Sequence, residues 1–290
     1  MGDENGTTPL VKRFVDDCKQ YFQRIKSHIL RHSNLCEEEA HEVVETLFFR
    51  LLFLRFLEEK RWLTFSGNSN YLSALCDSGG VDSKSVYSSR FSPLFSKGLS
   101  VEGNQEDVAY GSVLFLNLNL FHKTSLDVLE WDISDVHLQS LIGRYGLFYN
   151  YDFSINEFGS CEVINPEIIG TLFEELLTDR QDKGAFYTPK PVVRYMCNEG
   201  IKLILEERTN LRTEQVIDLV DHDSLGIISV EQGTLLRREL LSIKAIDPAC
   251  GSGAYLIGLL QELTRIHLTL STNLSDSSFS KFDVKRQLIS

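Results

Sequence analysis

At 290 residues with 42% hydrophobic side chains, the chain is long enough to bury a core and to form two domains. A formal net charge of −12 argues against a complete DNA-binding surface, because phosphates are met chiefly by Lys and Arg. Six cysteines without a C-x-x-C pair suggest neither a zinc site nor a disulfide framework, and they fit a reducing, cytoplasmic compartment.

The first ten residues are polar, so no signal peptide is expected. The apolar run from Leu47 to Leu57 is interrupted by Arg50 and Arg55 and is too short to span a bilayer. The expectation is a soluble protein with no membrane partner. Val11 to Leu30 and Glu38 to Leu63 read as helices, and in the second Ala40, Val44, Leu47, Leu51 and Leu54 form one apolar stripe. Residues 66–103, rich in Ser, Gly and Asp, read as loop with short helical pieces. Val113 to Phe121 is compatible with a strand or a buried loop. Leu126 to Tyr149 reads as helical, and Asn150 to Ile164 as a crossing into a second domain. Asn165 to Leu177 again has apolar residues at helical spacing.

Two later stretches carry chemistry. In Gly184-Ala185-Phe186-Tyr187-Thr188-Pro189, Thr188 is a candidate N-cap and Pro189 sits at a first helical position, where its missing N–H costs nothing. Residues 210–239 read as an insertion. Leu241 to Ile246 then reads as a strand that runs into Asp247-Pro248-Ala249-Cys250-Gly251-Ser252-Gly253 and a helix from Ala254. Two glycines one residue apart allow positive φ and remove the Cβ atoms that would keep a ligand off the backbone. The helix that follows offers free amides and the positive end of its dipole. Leu256 occupies the third glycine position of a dinucleotide turn, and no Gly-Lys-Ser/Thr ending marks a P-loop.

The string Asp-Pro-Ala-Cys-Gly-Ser-Gly resembles the first motif of S-adenosylmethionine-dependent DNA methyltransferases that modify adenine N6. The Gly-x-Phe-Tyr-Thr-Pro segment upstream resembles the aromatic lid of the same enzymes. Residues 165–177 look like their connector helix, and Phe48 to Leu63 is similar to their helical N-terminal region. Together with Tyr151 to Glu157, these point to the single-chain restriction-modification (type IIG) class and its phage-defence relatives. Where relatives carry Asn-Gly-Gly-Leu-Phe, this chain has Asn117-Leu118-Asn119-Leu120-Phe121.

The resemblance implies a mixed fold: an α-helical N-terminal region over residues 1–164, then, over 165–290, the start of a class I (Rossmann-like α/β) methyltransferase domain that the sequence leaves truncated. It implies that S-adenosyl-L-methionine is held by Asp247, Ala249, Gly251 and Gly253, with Phe186, Tyr187, Thr188 and Pro189 closing over it. The parent reaction would be adenine N6 methylation of double-stranded DNA, gripped mainly by regions beyond residue 290, with restriction or defence subunits as further partners. No catalytic residue and no metal ligand is assigned. The Asn/Asp-Pro-Pro-aromatic loop that holds a flipped adenine is not in the chain, which has no Pro-Pro dipeptide. Neither Asp276 nor Asp283 is nominated as the ribose ligand.

The alternatives are a cofactor- or partner-binding module without turnover, a methyltransferase for a non-DNA substrate, and a nuclease. The nuclease reading rests on Glu58-Glu59-Lys60, which sits in a helical pattern rather than on strands. His41-Glu42 does not extend to H-E-x-x-H, Cys250 reads as a packing residue, and the basic set Lys183, Lys190, Arg194, Lys202, Arg208 and Arg212, interleaved with Glu199, Glu206 and Glu207, reads as a solvated face.

Overall fold

The computed structural model describes residues 9–103, 105–116, 118–122, 124–154, 163–166, 168–176, 188, 190–226, 228–250, 253–273 and 280–289. The chain divides into two compact units, Met1–Arg180 and Gln181–Ser290.

In the first unit, helix α1 (Pro9–His32) buries Phe14, Cys18, Phe22, Ile25 and Ile29, the i, i+4, i+8 face of an amphipathic helix. Helix α2 (Glu37–Glu59) opens with a capping box in which Cys36 Sγ accepts the Glu39 N–H and the Glu39 carboxylate accepts the Cys36 N–H. Its expected stripe is buried, but so are Val43, Phe48, Phe49, Leu52, Phe56 and Leu57. A helix covered all round must also take its polar residues inside, and Arg50, Arg55 and Glu58 are buried with it.

Residues 66–103 hold α3 (Tyr71–Asp77) and two π-helical turns, Tyr87–Phe91 and Leu94–Gly98. A short antiparallel hairpin follows, β1 (Gln105–Asp107) and β2 (Gly111–Val113), in the register Gln105↔Val113. Gly111 closes its turn at φ +73°, where a Cβ would lie 2.6 Å from the Thr64 carbonyl oxygen. The helical expectation over 126–149 breaks into α4 (Asp135–Ile142) and a 3₁₀ turn, Leu147–Tyr149. Gly143 and Gly146 sit where a Cβ would meet the Gln139 and Leu141 backbone. Tyr151 and Phe153 pack on Phe14, and α5 (Ile168–Leu176) inserts Ile168, Leu172 and Leu176 into the same core.

The second unit contains α6 (Lys190–Arg208), α7 (Thr213–His222), α8 (Val230–Leu241), α9 (Ala254–Asn273) and α10 (Lys281–Ile289). Ile201 and Leu205 of α6 meet Leu219 and Val220 of α7, Leu236 and Leu240 of α8, and Leu263, Ile266 and Leu270 of α9.

This overturns the expected Rossmann-like α/β domain: among the described residues the only sheet is the two-stranded hairpin of the first unit. The strand expected over Leu241 to Ile246 does not form. Leu241 closes α8, whose start is fixed by a second capping box, Ser229 with Gln232, and Ser242 caps its end. Residues 243–246 then run without regular structure. A strand needs a neighbour for its backbone N–H and C=O groups, and the described part of this unit supplies none. Ile246 is left 91% exposed, while Ile243 leans on the helical core.

Candidate cofactor site

The glycine-turn segment lies at the surface before α9. Asp247 Oδ1 accepts the Ala249 N–H at 3.0 Å, an Asx turn that bends the chain two residues after the carboxylate. The Gly253 N–H then reaches the Cys250 carbonyl at 2.8 Å, and the Gly253 carbonyl accepts the Ile257 N–H at 2.9 Å, opening the helix. Gly253 has φ +80°. A Cβ there would come no nearer than 3.6 Å to Ile257, so conformation rather than space calls for glycine. Ala249 and Cys250 are exposed, and Cys250 is a free thiol. Gly251 falls outside the described residues.

Of the lid residues only Thr188 is described, and it is half-buried; Phe186, Tyr187 and Pro189 lie outside the described residues. The helix they lead into, α6, is fastened to α9 over the first turns of both. Gly258 sits against Val193, where a Cβ would lie 2.4 Å from Val193 Cγ1. The Cys197 thiol points at the Tyr255 carbonyl at 3.7 Å, and the Tyr255 hydroxyl donates to Met196 Sδ at 3.3 Å. Arg194 Nε pairs with Glu262 at 3.3 Å. Val193 lies three residues after Lys190, where α6 begins, and Gly258 five after Gly253. At 1.5 Å per helical residue, the two helix starts therefore lie roughly 4–8 Å from the junction. Around it Val192, Tyr195, Met196, Leu256 and Ile257 form an exposed apolar rim. Nothing in local periodicity marks this rim.

Among the described residues of the basic set, Arg194, Lys202 and Arg208 are spent on internal pairs. Lys202 Nζ binds Asp221 at 2.8 Å and Glu199 at 2.6 Å, and Arg208 donates to Ser242 Oγ at 3.1 Å. The side chains of Lys183 and Lys190 lie outside the described residues.

Glu58 is taken up in the packing of the first unit. It is 4% exposed, accepts the Leu72 N–H at 2.9 Å and the Tyr149 hydroxyl at 2.8 Å, and pairs with Arg55 at 3.3 Å. Burial raises its carboxyl above the usual range. Arg55 also pairs with Glu59 and lies between the Tyr149 and Phe153 rings, at 4.9 and 4.8 Å. Arg50 grips Asp127 with both terminal nitrogens, at 2.6 and 3.0 Å, beside a cavity of about one water's size lined by Leu47, Tyr87, Phe95 and Trp131. Among the described residues no cluster of His, Cys, Asp and Glu is arranged to hold a metal, and no helix is long and apolar enough to cross a membrane.

No family model and no solved structure matches the chain. It is similar to a protein of Methanocaldococcus jannaschii named "Putative type II restriction enzyme and methyltransferase", 27% identical over 268 aligned positions. The alignment takes in 80% of this chain and 21% of that relative, so the chain spans about a fifth of the relative's length. This is a distant likeness to a restriction-modification methyltransferase.

Proposed function

We propose that the second unit binds S-adenosyl-L-methionine, and that the protein serves adenine N6 methylation of DNA in a restriction-modification or phage-defence system. The observation that carries this reading is the junction of α6 and α9, which draws the starts of the two motif-bearing helices together. The turn itself suits the cofactor's amino-acid end. Gly253, and Gly251 with it, presents backbone without a Cβ, and the open helix start favours a carboxylate. Asp247 spends one carboxylate oxygen on Ala249 and leaves the other for an ammonium group. Phe186, Tyr187, Thr188 and Pro189 close over the ligand from the head of α6. Residues 1–164 serve as a helical connector region and 165–290 as the cofactor-holding part. The cofactor supplies an electrophilic methyl group; the chain's own residues hold and orient it. No residue of the chain is assigned to the flipped base, since it has no Pro-Pro-aromatic loop.

Equilibrium dialysis with tritiated S-adenosylmethionine tests this. Saturable binding is expected, weakened about tenfold or more in Asp247→Ala, the scale of a lost charged hydrogen bond. Methylthioadenosine, which has no amino-acid end, should bind wild type and variant alike. No binding by the wild type, or equal binding of the full cofactor by the variant, overturns the reading. Tritium transfer to duplex DNA by residues 1–290 is not expected, and turnover would place base-gripping residues within this chain.

A further inference from the structure

Where the end of α1 meets the start of α4, three imidazoles stack. The His28 ring lies 4.3 Å from His32 and 4.5 Å from His137, each pair inclined by 29°. Ser134, the residue before α4, donates its backbone N–H to His28 Nε2 at 3.3 Å. Its hydroxyl lies 2.9 Å from His137 Nδ1, and His32 Nδ1 lies 2.8 Å from the His28 carbonyl. A ring nitrogen that accepts from an amide must carry a lone pair, so this contact exists only while His28 is neutral with its proton on Nδ1. Protonation would set N–H against N–H.

The surrounding charges have opposing effects. On α1, Arg24 and Arg31 flank the stack, and across from them stand His137 and Asp132. Asp132 favours a charged His28, but it already accepts from Ser85 Oγ at 2.7 Å and the Ile133 N–H at 2.8 Å. Asp135 is turned to the Val86 N–H at 2.8 Å. Burial, followed by His137, His32 and Arg31, holds His28 below the ordinary imidazole value. Burial, then Arg31, His32 and Arg24, does the same to His137, which also sits in the first turn of α4 against the positive end of its dipole.

We propose that the His28–Ser134 contact is a pH-sensitive latch between α1 and α4, closed while the imidazole stack is neutral and opened by its protonation. Opening releases the segment before α4, where Ile133 is buried and Trp131 packs on Tyr87 at 4.5 Å. The latch lies in the first unit and does not depend on the cofactor reading.

Amide exchange of Ser134, followed by NMR in the full chain at about pH 8 and about pH 5, tests it. Relative to α2 amides in the same samples, its protection should fall about fivefold or more at the lower pH, the scale of one hydrogen bond. His28→Gln, whose side-chain oxygen accepts without titrating, should hold its protection at both pH values. Unchanged relative protection in the wild type, or an equal loss in His28→Gln, overturns the latch. Ring C–H titration supplies the second measurement. The His28 midpoint should lie below the ordinary imidazole value and rise in His137→Gln; a wild-type midpoint at or above the ordinary value overturns the proposal.

Discussion

The two units solve the problem of a core differently. The first buries a web of aromatic rings, Phe14, Phe22, Phe48, Phe148 and Phe153 among them, and threads the two buried arginines of α2 through it, each met by a carboxylate. The second packs only aliphatic side chains in its central cluster and leaves Val192, Tyr195, Met196, Ile246 and Leu256 at the surface beside its glycine turn. The first unit also exposes apolar side chains, Trp62, Val108, Val136 and Tyr145 among them, but at scattered sequence positions rather than around one helix-start turn. A core that keeps apolar surface at the mouth of a helix-start turn retains the means to bind a ligand, at a cost in stability.

The largest test of this contrast is Arg55→Ala. Removing the guanidinium strands the Glu58 carboxylate in the interior and should cost about 3–5 kcal/mol. Both tryptophans, Trp62 and Trp131, lie in the first unit, so denaturation followed by their fluorescence reports that unit alone, whereas far-ultraviolet circular dichroism reports both. The fluorescence midpoint should drop while a second dichroism transition stays in place; a joint shift would show that the units unfold as one. Gly258→Val should do the reverse, forcing α6 from α9 at a cost of about 1–3 kcal/mol and leaving the tryptophan signal unmoved.

The smallest expected effect is a pH dependence. His267 is 2% exposed beside Arg237, and burial, then that cation, lowers its proton affinity in the folded state. As pH falls through the ordinary imidazole range, the unfolded chain takes up the proton first. Stability of the second unit is thus full above that range and declines below it. His267→Leu should flatten the acid side of the dichroism profile, and an unchanged slope would remove His267 from the account.

Much of the helical framework was legible because amphipathic spacing survives in the sequence: α1, α2 and α5 lie where the apolar period puts them. The Ser229-x-x-Gln232 box announced α8 as well, but a reading of 210–239 as an insertion passed over it. The strand over 241–246 misled because an apolar run says which residues seek cover, not whether a neighbouring strand exists to pair with. Nor does a stripe reveal that α2 is wrapped on every side, since Arg50 finds Asp127 77 residues away. At the site, the glycine and carboxylate positions could be named from the string alone. The clasp between Val193 and Gly258 could not, because small residues at a helix crossing leave no periodic mark.

The buried arginines of α2 also set a timetable. Arg50 awaits an acceptor 77 residues downstream, and the Phe148 carbonyl that receives Arg55 comes 93 residues later. At a synthesis rate of about 5–20 residues per second, the growing chain holds Arg50 without that acceptor for roughly 4–15 seconds, whereas Arg55 has Glu58 and Glu59 within its own helix. During that interval α2 can pack on α1, which precedes it, but lacks the later elements that cover its other faces. Whatever shields those faces then, a chaperone or the ribosome surface, must tolerate the Arg50 charge along with the leucines and phenylalanines of α2.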